Sequence, residues 1–414
     1  MKKTLLDYCD FINGGAWSEN EYTTKGVPVL KVSNMKKDGF VFDNLDFLSV
    51  ENAKNYSKNL LKAYDVVIAT VGSHPNLVES AAGRAAIIPI HLFNYLLNQN
   101  AVCIRTKDNN KLNQRFLGYL AKSEHFQNYI QNRGKGAANQ MRIPIGEIKS
   151  YPANFPLLPT QQKIAKILSA YDDLIENNLK RIKLLEEMAQ RTYEEWFVRF
   201  KFPGHENVKF DKETGLPEGW KRVKLGEVAK INSQSLKQGF SGEILYIDIA
   251  GVSPNRINSK TKFKYSEAPG RAKRVLNHGD IIWSCVRPNR KSHAVIWNPE
   301  KNLIASTGFC VITPKSLPTS YLYQYLTTDK YVGYLSNLAG GAAYPAVKPI
   351  HFIESEIVIP CNELILKYKA KYGASLEISW NLQIQNQHLK EARDILLPRL
   401  MTGMIDVDEI RGRV

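Results

Sequence analysis

The segment Leu61-Lys62-Ala63-Tyr64-Asp65-Val66-Val67-Ile68-Ala69-Thr70 returns in pattern 215 residues later as Leu276-Asn277-His278-Gly279-Asp280-Ile281-Ile282-Trp283-Ser284-Cys285. In both places a turn containing Asp enters a short apolar run, the pattern of a buried strand. Three further pairs keep the correspondence. Leu5-Leu6-Asp7 matches Leu225-Gly226-Glu227 at an offset of 220, and Val102-Cys103-Ile104 matches Phe309-Cys310-Val311 at 207. Gly136-Ala137-Ala138 matches Gly341-Ala342-Ala343 at 205. An offset that shrinks steadily along the chain is the mark of a duplicated unit whose loops differ in length. Two copies are too few for a solenoid, which needs three or more, so the expected architecture is a duplicated domain.

Each copy opens with short β-rich runs separated by Gly, Pro, Asn and Ser, among them Val27 to Val32, Val66 to Val71, Ala101 to Arg105, Ile244 to Ile249 and Phe309 to Thr313. A helical, aromatic-rich stretch follows (Arg115 to Gln131; Ser320 to Leu338), then the Gly-Ala-Ala loop. The fold class is α+β: two duplicated mixed α/β domains, each followed by a long helix.

The two helices differ from the rest of the chain. From Thr160 to about Trp196 there is no Gly or Pro, and apolar residues step by four and three through Ile164, Leu168, Tyr171, Ile175, Ile182, Leu185, Ala189 and Trp196. Thr160, just after Pro159, is the expected N-cap. The second copy runs Ile378, Leu382, Gln385, Leu389, Ala392, Leu396. Seven-residue spacing implies helix-on-helix packing along a narrow seam; the fold class expected adds that the two helices pack as an antiparallel coiled coil, a direction that the spacing itself does not give. Asn178 falls at a seam position, and Asn381 occupies the matching place 203 residues later. Either the two form a polar pair that fixes helix register, or they lie on the surface just off the seam. The boundaries expected are a first domain at 1–155, a helical spacer at 156–200, a linker at 201–216, a second domain at 217–357 and a C-terminal helical spacer at 358–414.

Charge separates these segments. The net formal charge is +16. Residues 1–150 hold 19 Lys and Arg against 13 Asp and Glu, and residues 221–360 hold 19 against 9. Residues 151–200, with 7 of each sign, and 361–414, with 8 against 7, are close to neutral. Two basic blocks joined by neutral helices point to a polyanion, and so to nucleic acid. Five scattered cysteines, an odd number, suit a reducing cytoplasm better than a disulfide framework. The opening Met-Lys-Lys-Thr-Leu-Leu is like the charged end of a signal peptide, but Asp7 and Asp10 interrupt the apolar run. The expected location is the cytoplasm.

Signatures of catalysis are missing. No Gly-rich loop ends in Gly-Lys-Ser/Thr. No Asp/Asn-Pro-Pro-aromatic tetrapeptide, the base-methylation signature, occurs; Asn298-Pro299-Glu300 comes nearest. The eight histidines are isolated, without His-Glu-x-x-His or Cys-x-x-Cys spacing. His74 and His293 fall in candidate loops. The chain is expected to be a non-catalytic subunit without cofactor or metal.

Four segments carry a family resemblance. They are Leu157-Leu158-Pro159-Thr160-Gln161-Gln162-Lys163-Ile164; Gly340-Gly341-Ala342-Ala343-Tyr344-Pro345-Ala346-Val347-Lys348; Gly215-Leu216-Pro217-Glu218-Gly219-Trp220 with Val223-Lys224-Leu225-Gly226-Glu227-Val228; and Leu396-Leu397-Pro398-Arg399-Leu400-Met401-Thr402-Gly403. With the order of domain, Pro-ended strand, long helix and repeat, the chain resembles the specificity subunits of type I restriction–modification systems over nearly its whole length. It departs from them at Ile359-Pro360-Cys361-Asn362-Glu363, which lacks the usual second run of prolines and glutamine, and at Asn139-Gln140, where the second loop has Tyr344-Pro345. The resemblance implies a subunit that reads a bipartite, asymmetric site on double-stranded DNA, one half per domain. It further implies recruitment of two adenine-N6 methyltransferase subunits and of translocating nuclease subunits. S-adenosylmethionine, ATP and Mg2+ would belong to those partners. A type IIB-like restriction system, a two-domain transcription regulator and a basic scaffold that never touches DNA remain as alternatives.

Phosphates are met by Lys, Arg and small polar groups, and base edges by Arg, Lys, Asn and Gln. The loops after the repeated buried strand are therefore the first candidates: Ser73, His74 and Asn76 in one copy, Arg287, Asn289, Arg290 and Lys291 in the other. The Gly-Ala-Ala loops follow, with Arg133, Lys135, Gln140 and Arg142, and with Tyr344 and Lys348. The basic run Lys260, Lys262, Lys264, Arg271, Lys273 and Arg274 is expected on phosphate.

Overall fold

A computed structural model describes residues 3–36, 39–42, 45–73, 82–137, 140–237, 239–341 and 344–407. The chain forms two compact units, residues 1–175 with 388–414, and residues 176–387.

The duplication is present in the strand order. In the first unit an antiparallel sheet runs Cys9–Asn13, Ala101–Thr106, Val66–Ala69, Ala85–Ile87. In the second the order is Ala229–Ile231, Phe309–Pro314, Ile281–Ser284, His293–Val295, again antiparallel throughout. Each unit adds a mixed sheet with one parallel pair, Leu96–Leu97 on Val27–Leu30 and Leu303–Ser306 on Glu243–Ile247. Every residue of Val66–Ala69 and of Ile281–Ser284 is buried. That explains why these runs are continuously apolar rather than alternating: both faces are covered.

The repeated Asp sets the turn into that strand. The Asp65 carboxylate accepts from the Lys62 backbone N–H at 2.7 Å, and Asp280 accepts from that of Asn277 at the same distance. Their remaining partners differ. Asp65 also takes Nε and Nη2 of Arg105 at 2.7 and 2.6 Å, whereas Asp280 takes the Thr313 hydroxyl at 2.6 Å. Burial raises the Asp280 carboxyl above its usual range, against the hydrogen bonds from Thr313 and Asn277. Asp65→Asn is therefore expected to cost about 2–3 kcal/mol, because it breaks a charged, forked hydrogen bond. Asp280→Asn should cost less than about 1 kcal/mol, since only neutral partners remain. Urea unfolding of the two variants compares them directly, and equal costs would refute the distinction.

The aromatic-rich stretches form paired helices in both units, Gln114–Lys122 with Glu124–Gln131 and Thr319–Thr327 with Asp329–Leu338. In the first unit Phe116, Phe126, Ile164 and Leu168 share one core with Leu400, which comes from the far end of the chain. In the second, Trp283 is fully buried and donates its Nε1–H to the Leu326 carbonyl at 3.2 Å. His293 and Phe352 lie against its ring, and Tyr193, Phe197, Tyr321 and Tyr368 pack on one another in the same core. Phe202 and Leu216 also enter this core, and Phe202 stacks on Trp220 at 5.1 Å.

The long helices span Leu158–Tyr193 and Asn362–Met401. The first begins two residues before the expected cap. Pro159 is accommodated in the first turn, where its missing N–H is no loss, so Thr160 lies inside the helix. Glu194–Val198 continue it as a π turn. Within the second unit the helices are antiparallel: Thr192 meets Tyr372 at 2.5 Å between hydroxyls, and Asn178 meets Gln385 and Asn386.

Two expectations for the seam are corrected. Asn381 is exposed, and the polar partners of the fully buried Asn178 are Gln385 Oε1 and Asn386 Oδ1, both at 2.9 Å. Counting heptads finds the residue that repeats Asn178, but in an antiparallel pair the equivalent position is not the facing one. Ile378 likewise stands 40% exposed, while the neighbouring Ser379 and Trp380 are buried.

Candidate nucleic-acid interface

In the first unit the end of the buried strand turns into Val71–Gly72, which pairs with Gln140–Arg142, itself paired with Lys135–Ala137. The Ile143 N–H donates to the Thr70 carbonyl at 2.8 Å. Two loops 70 residues apart in sequence thus become one small sheet. Because side chains alternate along a strand, Gln140 and Arg142 share a face, with Lys135 directly across from Arg142. All three are exposed, whereas Met141 between them points inward and is 4% exposed. Like charges facing each other across a strand pair cost stability, and an anion on that face removes the cost.

Gly136 makes the hairpin possible. Its φ is +128°, and a Cβ there would lie 2.3 Å from the Gln140 carbonyl oxygen. Arg133 stands apart from this face, its guanidinium 3.7 Å above the Tyr129 ring and 3.5 Å from Glu147. Ser73 follows Gly72 at the edge of the sheet. His74 and Asn76 lie outside the described residues.

The second unit repeats the arrangement. The Val347 N–H donates to the Cys285 carbonyl at 2.9 Å, the Arg287 N–H to the Pro345 carbonyl at 2.7 Å, and Val286 bridges Ala346. Arg287 and Lys291 are both left-handed, with φ of +50° and +53°, and bracket the single turn Pro288–Arg290. Left-handed backbone at non-glycine residues costs roughly 1–2 kcal/mol each, and such strain clusters at binding sites. The Arg287 guanidinium lies 4.7 Å from the ring of Tyr344, which is 70% exposed. Asn289, Arg290 and Lys348 are exposed, and Lys291 is paired with Asp329 at 2.8 Å.

The basic run lies elsewhere in that unit, on the mixed sheet, in strands Thr261–Lys264 and Ala272–Val275 and the segments around them. Lys260 is paired with Glu300, Lys262 with Glu243 at 2.7 Å, and Arg271 with Asp248 at 3.4 Å. Lys264 and Lys273 are exposed, and Arg274 reaches Ser235 at 3.5 Å. The structure therefore brings Val71–Gly72 to Gln140–Arg142 in the first unit and Cys285–Arg287 to Pro345–Val347 in the second, and puts the basic run on a different sheet.

His293 is not a loop residue. It begins the strand His293–Val295, is buried, and shares a 3.0 Å hydrogen bond with the Tyr323 hydroxyl. Burial, aided by Lys291, pushes the imidazole down to about 3. Between pH 6.5 and about 3 the unfolded chain takes up a proton here that the folded chain refuses. Stability accordingly falls as pH drops through that window, by up to about 1.4 kcal/mol per pH unit. His293→Gln should flatten this part of the profile of unfolding free energy against pH; an unchanged slope would contradict a neutral, buried His293.

Sequence reasoning proposed the two loop sets separately and missed their pairing. The signal was the recurrence of both pieces in the same order in both copies, Thr70 before Ile143 and Cys285 before Val347. Among the described residues no group of His, Cys, Asp and Glu could hold a metal ion, and no helix is long and apolar enough to cross a membrane.

Two similar α+β units, each joining two polar loops into a basic, exposed patch, and both served by a pair of antiparallel helices, define a duplicated recognition protein. The sequence model described as the type I restriction modification DNA specificity domain matches residues 1–187 and 217–386, and the chain belongs to that family. It is 26% identical to the MjaIX type I restriction enzyme specificity subunit of Methanocaldococcus jannaschii over 71% of this chain and 70% of that one. To the HindI specificity subunit of Haemophilus influenzae it is 23% identical, over 88% and 91%. The fold is similar to that of the type I restriction-modification S subunit from M. genitalium, with a TM-score of 0.55 at 16% identity over 97% and 96% of the two chains. This is a type I specificity subunit: its part is DNA sequence recognition, and catalysis lies in partner subunits.

Proposed function

We propose that each unit reads one half of a bipartite, asymmetric site on double-stranded DNA, and that the chain directs two methyltransferase subunits and the restriction subunits to that site. S-adenosylmethionine, ATP and Mg2+ belong to those partners in this reading. The observation that carries it is the recurrence of one patch with different residues. Lys135, Gln140 and Arg142 lie on the Gly-Ala-Ala hairpin of the first unit, and in the second unit Arg287, Asn289 and Arg290 lie on the loop after the buried strand, with Tyr344 against Arg287. Equivalent placement predicts equivalent use, and different side chains predict different bases. Lys264 and Lys273 supply phosphate contacts, which position the protein without reading sequence.

Single-molecule methylation mapping of DNA from cells carrying this chain with its methyltransferase subunit tests the proposal. The expected motif is split and asymmetric, with N6-methyladenine in both halves. A continuous or palindromic motif, or none beside an active methyltransferase, would overturn it.

A further inference from the structure

Behind the loop Arg287–Lys291, within residues 176–387, lies a cavity of about 300 Å³ that the reading above does not use. It is bounded by both long helices, by the helix Thr319–Thr327 and by the turn at Asn255. That volume is at the lower end for small-molecule sites.

Its lining is acidic in a chain that is otherwise basic. Glu186, Glu187, Glu194 and Asp329 face it; Lys291 is the cation among the lining residues and is paired with Asp329 at 2.8 Å, Glu187 is paired with Lys183 and Arg191 outside the lining, and Arg256 lies near Glu186. Glu186 is held in place by the side-chain amide of Asn255. Asn255 is itself fixed from two sides: its N–H donates to the His293 carbonyl at 2.8 Å, and its carbonyl accepts from Gln383 Nε2 at 3.0 Å. A carboxylate is thus positioned rigidly at a cavity wall. An independent observation is Ser320, which is 4% exposed and lines the cavity, yet its hydroxyl has no hydrogen-bond partner. Buried polar groups are almost always satisfied, and a hydroxyl both donates and accepts. His293, at the same wall, is neutral and adds no repulsion against a cation.

We propose that this cavity binds a small organic cation of the diamine class, with one ammonium seated between the Glu186 carboxylate and the Ser320 hydroxyl. Ammonium groups donate three hydrogen bonds and accept none, which matches a wall of carboxylate, hydroxyl and amide oxygens. Burial raises the Glu186 carboxyl above its usual range while the cavity is empty. Seating a cation against it favours the ionised form.

The test is calorimetric titration of the full-length protein, free of DNA, with 1,4-diaminobutane and with 1,4-butanediol as the uncharged analogue of equal length. Saturable one-to-one binding of the diamine and none of the diol are expected. Glu186→Gln should weaken binding by about tenfold or more, as expected for loss of one charged partner. Ser375→Leu fills the cavity from the second long helix without altering the carboxylate, and should abolish binding. If Glu186→Gln does not fold, the Ser375→Leu result decides. No saturable binding up to about 10 mM, equal binding of diamine and diol, or binding unchanged in either folded variant would overturn the proposal.

Discussion

Arg287→Ala is expected to relax one half of the methylated motif while leaving the other half as strict as before. The guanidinium is placed by an unusual backbone, left-handed at φ +50°, and by the face of Tyr344. Planar, forked donors of this kind read guanine through two acceptors, and each such pair contributes about 1–3 kcal/mol of discrimination against the wrong base. Selectivity at one position should therefore fall by roughly 5- to 150-fold, read as the spread of bases tolerated there in methylation mapping. Arg287→Lys separates charge from shape: it keeps the cation but loses the fork and the ring stacking, so selectivity should still fall. Lys262→Ala is the control. Its ammonium is paired with Glu243 on the mixed sheet, and any loss should be uniform across sequences. Unchanged selectivity in both Arg287 variants would remove that residue from the interface.

Asp172→Asn is expected to be among the most destabilising single changes in the first unit, at about 3–5 kcal/mol, because Lys122 and Arg393 lose their buried counter-ion and keep only the more exposed Asp394. Asp172 accepts from the Tyr119 hydroxyl at 2.7 Å and from Arg393, and Lys122 lies close by. Burial alone would raise this carboxyl, yet Lys122, Arg393 and the hydroxyl outweigh it and hold it below the usual carboxylate range. A depressed folded pKa contributes stability above the unfolded value that is lost as pH falls through the folded one. Wild type should thus lose stability below about pH 4 through this group, and the variant should lose less. A cost under about 1 kcal/mol in urea unfolding would show that the cluster rearranges or hydrates instead.

Much of this was legible in the sequence where local rules and burial agree. The Asp turn entering a buried strand, the helical stretch after it and the long helices appear as read, because each depends on pattern within a few turns or strands, although each stretch breaks into two helices, at Ser123 and at Thr328. The seam was legible as to which helices pack, through Ile164, Leu168 and Ile182, but not as to which residues face each other. Periodicity fixes a face and carries no information about direction or crossing, so the spacing points to Asn381 whereas the residue that meets Asn178 is Asn386. His293 was misplaced because Arg287-Pro288-Asn289-Arg290-Lys291 reads as a longer loop than it is. The candidate patch was legible only as two separate loops: their pairing is a long-range contact, and nothing short of their joint recurrence in both copies announces it.

The last turns of the second long helix place Leu400 in the core of the first unit, packed with Phe116, Ile164 and Leu168. Seen from the ribosome, that core is assembled from the two ends of a message. At 5–20 residues per second, residue 388 is made roughly 10–40 seconds after residue 175. The first domain to emerge is therefore the last to be finished, and throughout that interval its apolar face lacks a cover that only later translation supplies. A ribosome that stalls within the second unit would release a fragment whose earlier half is still open, a ready substrate for chaperones and proteases.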